Sequence, residues 1–303
     1  MTRRMRPRVL ARRLGMPALA VALVVAGSAG LSPRSAEADG RPDVTNVAHR
    51  GASAYAPENT LAAIEDGVAR RADMVEVDVQ RTADGELILI HDTDLVRTTD
   101  AEEVFPDHGS YAVADFTMAE VRRLDAGSWF GADFAGEPVP TLADALAVLR
   151  GGPVGLLLEV KEPALYPGIE AELADEFRED PWWLEPAPPH QAHRLVIQSF
   201  DWASMKRSQD LLPAIPHGLL GRVDEAEIPA YAEWADQINP GFTTVDAAYV
   251  QLVHEAGLES YVYTVNDADD MRAQLANGVD GVITNYPDVL ADVIDEQREP
   301  AAA

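Results

Sequence analysis

Short apolar runs alternate with longer amphipathic stretches from residue 44 onward. The runs lie at 44–48, 74–79, 87–90, 154–160, 195–199, 217–220, 261–265 and 281–284. Between them, helical periodicity begins next to capping or turn residues at Thr60, Thr141 and Asp267. This alternation predicts a parallel α/β sheet or barrel. Several runs are continuously apolar, as strands covered on both faces are, so a closed barrel with outer helices is the predicted fold.

The second and third runs are separated by only five residues. Five residues are too few for a crossover between parallel strands, so these two runs are predicted to form an antiparallel hairpin. A two-residue type I′ turn at Asp84 and Gly85 would place Asp78 directly opposite His91.

A long excursion from residue 92 to residue 140 follows the hairpin and is rich in Asp, Thr, Gly and aromatic side chains. Insertions of this length in a compact domain are usually lids or binding loops. With 303 residues in total and no second-domain linker, we expect one large domain from residue 39 to residue 303.

The N-terminal segment is predicted to be a signal peptide. Six Arg residues within the first 13 positions precede an uncharged apolar run at 16–31, and an A-x-A pattern predicts cleavage after Ala38. The Arg12-Arg13 pair leaves both the Sec and the twin-arginine export routes open. A transmembrane anchor is the alternative, but this Ala- and Gly-rich run is short for a span of roughly 20 residues. We therefore expect an exported protein with no stable membrane insertion after cleavage.

Composition narrows the possible partners. Residues 1–38 carry a net charge of +6, so their removal lowers the formal net charge from −27 to −33, which argues against nucleic-acid binding. The chain contains no cysteine, so neither disulfides nor a lipidated cysteine can contribute. Composition does not indicate the oligomeric state.

Titratable residues lie within or directly after the apolar β runs. They are His49 and Arg50 after the first run, Glu76 and Asp78 in the second, His91 after the third, and Glu159 and Lys161 at the fourth. Catalytic groups of a barrel lie at the carboxyl ends of its strands, so these side chains are the candidates for chemistry.

Glu76 and Asp78 are two residues apart and therefore point to the same side of a strand. Alone they could form an ordinary exposed strand face, but with Glu159 they would make a three-carboxylate site. Three converging carboxylates repel one another unless a cation neutralises them, and oxygen ligands suit one Ca²⁺ or Mg²⁺ ion.

His49 and His91 are the candidates for general acid and base, because imidazole transfers protons near neutral pH. Arg50 and Lys161 could hold a phosphate by fixed positive charge. A salt bridge between Lys161 and Glu159 is the alternative for the lysine.

Taken together, these residues resemble the glycerophosphodiester phosphodiesterase family. The resemblance includes V-A-H-R-G-A-S-A-Y-A-P-E-N-T at 47–60, M-V-E-V-D-V-Q-R-T-A-D-G-E-L-I-L-I-H-D at 74–92, L-L-L-E-V-K at 156–161 and G-V-D-G-V-I-T-N-Y-P at 278–287. Further matching segments lie at 124–130, 139–146, 196–200 and 262–266. Eight segments in order cover essentially the whole predicted mature chain.

The resemblance implies a TIM (β/α)8 barrel of the phospholipase C-like phosphodiesterase type, with residues 92–140 as a small insertion. It implies metal ligands at Glu76, Asp78 and Glu159 and acid-base residues at His49 and His91. Arg50 and Lys161 would contact phosphate, and the P-E-N-T segment would support the first loop. Family members often have Trp where this chain has Tyr263, so its glycerol pocket is expected to differ in shape.

The implied reaction converts a small-molecule glycerophosphodiester, such as glycerophosphocholine or glycerophosphoethanolamine, to sn-glycerol 3-phosphate and an alcohol. Direct attack by water and attack by the glycerol 2-hydroxyl through a cyclic phosphate both remain open, as does the choice of acid and base. Two other functions are weighed against this one: a phospholipase C or D acting on intact phospholipids, and a secreted protein that binds glycerophosphodiesters without cleaving them.

Overall fold

The computed structural model of the protein describes residues 44–298. The predicted signal peptide and its cleavage site lie outside these residues, and the boundaries 1–38 and 39–303 stay predictions. The strands of the described part are β1 Thr45–Ala48, β2 Met74–Arg81, β3 Leu87–Leu89, β4 Gly155–Val160, β5 Leu195–Ser199, β6 His217–Leu220, β7 Gln237–Asn239, β8 Tyr261–Val262 and β9 Gly281–Thr284. Its α-helices are α1 Leu61–Ala69, α2 Ala101–Val104, α3 Met118–Val121, α4 Leu142–Leu149, α5 Ile169–Glu179, α6 Trp202–Leu211, α7 Ile228–Tyr231, α8 Ala247–Glu255, α9 Ala268–Asn277 and α10 Pro287–Arg298.

Eight of these strands are parallel and form a nearly closed barrel. They pair in the order β7-β6-β5-β4-β2-β1-β9-β8, and isolated parallel bridges from Gln237 to Glu259 and from Gly241 to Tyr263 join the two ends. The TIM barrel prediction is therefore confirmed. The apolar pattern missed β7, because this three-residue strand has the sequence Gln-Ile-Asn and is polar at two of its positions.

The remaining strand, β3, pairs antiparallel with β2, and this confirms the predicted hairpin. The predicted register of the hairpin is wrong by one residue. Val79 lies opposite Leu89, and the Ile90 amide donates to the Asp78 carbonyl at 3.0 Å, so Asp78 does not face His91. The Thr82 amide donates to the Glu86 carbonyl at 2.9 Å, so Ala83 joins Asp84 and Gly85 in a three-residue turn. A one-residue change in register moves every facing side chain to the opposite surface.

The outer helices begin where the sequence predicted. The Thr60 hydroxyl accepts the Ala63 amide at 3.2 Å at the start of α1, and Thr141 and Asp144 form a capping box at the start of α4. Caps of this kind satisfy amides that have no partner within the helix. The helices pack on the barrel through a shared core, in which the buried residues of β2 and β4 meet apolar residues of α4 and α5.

The insertion at 92–140 has a hydrophobic cluster of its own. Buried apolar residues from both ends of the segment, among them Leu95, Phe116 and Val139, pack with Ile88 and Ile90 of the hairpin region. The insertion is thereby fixed to the barrel beside the strand that leads to His91.

Within residues 44–298, no helix combines the length and the apolar character needed to cross a bilayer.

Candidate active site

Strand register brings the three candidate carboxylates together. Asp78 on β2 lies beside Glu159 on β4, and Glu76 stands two residues earlier on the same strand as Asp78. Side chains at registered positions of neighbouring parallel strands point to the same side, here into the barrel mouth. Oxygen atoms from the three residues all lie within 4.8 Å of one another, and all three residues are buried.

This cluster carries buried negative charge that the protein itself compensates only in part. Glu76 Oε1 and Asp78 Oδ1 have no hydrogen-bond partner among the described residues. Burial, followed by the charges of Asp78 and Glu159, raises the pKa of Glu76 well above its usual value. Burial and Asp78 likewise raise the pKa of Glu159 to about 7. Unpartnered, oxygen-only donors with elevated pKa values fit a hard divalent cation, which would supply the missing positive charge.

The loop after β1 is shaped around this cluster. The Arg50 amide donates to Glu76 Oε2 at 2.7 Å, and Arg50 Nε lies 3.3 Å from Asp78 Oδ2. Gly51 follows with a φ of +78°, and a Cβ atom there would lie 2.4 Å from the Ala63 carbonyl carbon. The H-R-G sequence therefore ends in glycine because only glycine fits this turn against α1.

The P-E-N-T segment does more than support the first loop. Asn59 is buried, and its side chain donates to Asp78 Oδ2 at 2.8 Å while accepting the Asp78 amide at 3.0 Å. Glu58 Oε1 accepts a hydrogen bond from Arg50 Nη1 at 2.9 Å. Asn59 thus orients a candidate metal ligand, and Glu58 orients a candidate phosphate ligand.

Lys161 enters the cluster from the end of β4. Its Nζ lies 2.7 Å from Glu159 Oε1 and 3.8 Å from Asp78 Oδ1, so the alternative salt bridge exists in the structure. The ammonium also lies 5.8 Å from the centre of the Phe200 ring. Phe200 is 55% exposed and stands edge-on to Tyr263, with 5.9 Å between ring centres. The two rings form an aromatic wall beside Lys161.

His49, directly after β1, is fixed by an amide. Its Nδ1 lies 2.7 Å from Asn285 Oδ1, which follows β9. An amide oxygen only accepts hydrogen bonds, so Nδ1 carries the proton and Nε2 is the unprotonated nitrogen of the neutral ring. Burial and the nearby Arg50 lower the pKa of His49 to about 4, so the ring is neutral at pH 7.

His91 is fixed by a carboxylate instead. Its Nδ1 lies 2.7 Å from Asp92 Oδ1, and hydrogen bonds from Arg97 help hold the pKa of Asp92 at about 2. The backbone here is held by Gln80, whose buried amide donates to the carbonyls of residues 90, 91 and 92 at 2.9, 3.2 and 2.6 Å. The Tyr166 hydroxyl in turn donates to Gln80 Oε1 at 2.8 Å.

Sequence reasoning had not singled out several of these supporting residues. Asn285 and Asp92 could have been found, because each directly follows a strand-end residue already noted in the sequence. Gln80 and Tyr166 could not, because their contacts depend on side chains that meet 86 residues apart.

Comparison with known proteins indicates a family for this chain. The sequence profile of the family described as "Glycerophosphoryl diester phosphodiesterase family" matches residues 49–289. The chain is 34% identical to a glycerophosphodiester phosphodiesterase of Bacillus subtilis, over 87% of this chain and 92% of the relative. It is 33% identical to one of Caldanaerobacter subterraneus, over 82% and 96% respectively.

Solved structures are similar to this one as well. A phosphodiesterase of Oleispira antarctica, solved in complex with the product sn-glycerol-3-phosphate, superposes with a TM-score of 0.73 at 28% identity, covering 84% of this chain and 97% of that one. The span matched by the family profile runs from His49 to the start of α10. It therefore includes every site residue described above. The chain belongs to the glycerophosphoryl diester phosphodiesterase family.

Proposed function

We propose that this protein hydrolyses glycerophosphodiesters to sn-glycerol 3-phosphate and an alcohol. The observation that carries the proposal is the set of three buried carboxylates beside two cations at the mouth of the barrel. Such a site can neutralise a phosphodiester and stabilise the charge that develops on its oxygens. The similar structure from Oleispira antarctica contains sn-glycerol-3-phosphate, which supports this choice of product.

We assign the three carboxylates, Glu76, Asp78 and Glu159, to one divalent cation, Ca²⁺ or Mg²⁺. When bound, such an ion supplies Lewis-acid polarisation of a phosphate oxygen and a fixed point for the glycerol hydroxyls. Asn59 holds Asp78 at 2.8 Å and so limits the rotation of that carboxylate. The Arg50 amide does the same for Glu76.

Arg50 and Lys161 are assigned to the phosphate. Both are partly buried, and each already lies beside a carboxylate of the cluster, which keeps its side chain directed into the mouth. Neutralising the carboxylates weakens these ion pairs and makes both cations available to phosphate oxygens.

We assign His49 as general base and His91 as general acid. His49 is neutral, its Nδ1–H bonds to the Asn285 amide, and Nε2 can take a proton from the nucleophile. The Asp92 carboxylate accepts the His91 Nδ1 proton, which fixes the ring and leaves Nε2 to carry the proton that is given away. As the new P–O bond forms, the bond to the alcohol oxygen breaks, and His91 gives its proton to that oxygen.

Substrates with different leaving groups test this assignment. The protein from Asp39 is incubated with glycerophosphocholine and with p-nitrophenyl glycerophosphate, in Ca²⁺, in Mg²⁺ and in chelator. His91→Ala should lose most activity on glycerophosphocholine but retain much more on the nitrophenyl ester, whose leaving group needs no proton. His49→Ala should lose activity on both substrates. If His49→Ala instead retained activity on the nitrophenyl ester and His91→Ala lost activity on both substrates, His49 would be the acid and His91 the base.

Assays with intact phospholipid beside glycerophosphocholine distinguish the proposed function from a phospholipase and from a binding protein. Release of diacylglycerol or phosphatidate from intact phospholipid, with none of glycerol 3-phosphate from glycerophosphocholine, would favour a phospholipase. Binding of glycerophosphocholine without turnover would favour a binding protein. Phosphorus NMR distinguishes the two routes of attack, because a cyclic glycerophosphate accumulates early only when the 2-hydroxyl attacks first.

We also propose that residues 1–38 direct export and are then removed. N-terminal sequencing of protein recovered from outside the cytoplasm should begin at Asp39. An N-terminus at Met1 would contradict cleavage.

A further inference from the structure

Arg97 lies in the insertion and makes four hydrogen bonds to two carboxylates. Its Nε and Nη2 donate to the two oxygens of Asp92 at 2.6 and 3.1 Å. Its Nη1 and Nη2 donate to the two oxygens of Glu58 at 2.9 and 2.8 Å. The guanidinium therefore holds both carboxylates in fixed orientation, one at its Nε–Nη2 edge and one at its Nη1–Nη2 edge.

Each of these carboxylates contacts a residue of the active site. Asp92 Oδ1 lies 2.7 Å from His91 Nδ1, and Glu58 Oε1 accepts Arg50 Nη1 at 2.9 Å. A continuous chain of charged contacts thus runs from His91 through Asp92, Arg97 and Glu58 to Arg50. Arg50 in turn lies 3.3 Å from Asp78 in the carboxylate cluster.

We propose that Arg97 is a positioning residue that fixes His91 and Arg50 relative to each other. It acts through Asp92 and Glu58, and by this contact the insertion takes part in the chemistry. The inference rests on the proposed function, in which His91 is the general acid and Arg50 binds the phosphate.

The geometry explains why this residue is arginine. Two carboxylates with two oxygens each are matched by a planar fork of donors, whereas the ammonium of lysine is a single point charge. Without the guanidinium, Asp92 and Glu58 would lose their common partner and could rotate away from His91 and Arg50. Arg97 is 44% exposed, so its ion pairs contribute little to folding, and its effect is expected in catalysis.

The experiment compares Arg97→Lys with the matched change Arg272→Lys. Arg272 is 43% exposed and also bridges two carboxylates, Asp269 and Glu296, but on the outer helices α9 and α10. All variants are made in the predicted mature chain, residues 39–303. Values of kcat and KM are measured with glycerophosphocholine and with the p-nitrophenyl ester, and Tm is measured without substrate.

Arg97→Lys should lower kcat on glycerophosphocholine about 10- to 100-fold, since small misplacements of catalytic groups have effects of this size. Because His91 matters less for the nitrophenyl leaving group, kcat on that ester should fall less, while KM rises on both substrates through Arg50. Arg272→Lys should leave kcat and KM unchanged. Equal losses on both substrates, or wild-type kinetics in Arg97→Lys, would overturn the proposal.

A second readout does not depend on turnover. The ring ¹⁵N resonances of His91, assigned by their loss in His91→Gln, report which nitrogen carries the proton. They should shift in Arg97→Lys and stay in place in Arg272→Lys. Unchanged resonances in Arg97→Lys would refute the positioning role even if the substrate proposed for the wild type were wrong.

Discussion

Replacing Glu76 with Gln should stabilise the metal-free protein while abolishing its response to divalent cations. Glu76 is 1% exposed, and its Oε1 has no hydrogen-bond partner among residues 44–298. The amide oxygen of Gln can still accept the Arg50 amide, so the substitution removes a buried charge and keeps the contact at 2.7 Å.

The size of the effect can be estimated from Glu159, which shares the cluster. Its pKa rises from 4.5 to about 7 on folding, which corresponds to about 3 kcal/mol. The folded chain holds this proton more tightly than the unfolded chain does. Protonation therefore contributes its full stability below about pH 4.5, and this contribution is lost as the pH rises through about 7. The chelated wild type should thus become less stable between pH 5 and pH 8.

A cation reverses this loss. At a concentration of 100 times Kd, a ligand specific for the folded state adds about 2.7 kcal/mol. For a domain of this size, such a gain raises Tm by about 5 to 10 °C. Thermal melts of chelated protein at pH 5 and pH 8, followed by titration with Ca²⁺ and Mg²⁺, measure both effects.

Glu176→Gln is the matched control, because Glu176 lies on α5, outside the cluster, and burial also raises its pKa. The control should keep the full cation-induced rise in Tm, and Glu76→Gln should show almost none. A full rise in Glu76→Gln, or no rise in a wild type whose hydrolysis requires the cation, would refute the reasoning.

Three further substitutions test other parts of the site. Gly51→Ala should destabilise the protein by about 3 kcal/mol or more, through the clash with Ala63 and the positive φ, as measured by urea denaturation; a loss below 1 kcal/mol would mean that the turn can relax. Tyr166→Phe removes the hydroxyl bound to Gln80 and should lower the free energy of unfolding by about 1–3 kcal/mol. It should also lower kcat by a larger factor than it raises KM. A change in stability alone would make the contact purely structural. Tyr263→Ala removes half of the aromatic wall and should raise KM for glycerophosphocholine about tenfold, equivalent to about 1.4 kcal/mol, with little change in kcat; an unchanged KM would place the substrate elsewhere.

The sequence predicted the barrel and the residues of its mouth, because strand ends in a barrel converge whatever the details of the loops. It predicted the hairpin but not its register, since Ala83 joins the turn and the sequence alone does not require a three-residue turn. The polar strand β7 gave no apolar signal. Both errors, the hairpin register and the missed strand β7, concern local geometry, in which a single residue can change the pairing of a strand.

The roles of supporting residues were harder to predict. Asn59 was expected to support a loop, yet it holds Asp78 through two hydrogen bonds. Arg97 was one charged residue among many in an acidic insertion. Its importance depends on two carboxylates that approach it from different segments, and side-chain direction of this kind becomes visible only after folding.

The way Gln80 holds the backbone has a consequence for the evolution of the insertion. One buried amide fixes three successive carbonyls, so the segment that carries His91 is anchored at the point where the insertion begins. Changes of length beyond Arg97 need not be transmitted to the histidine. The rim of the barrel can therefore vary in length while the segment that carries His91 keeps its place.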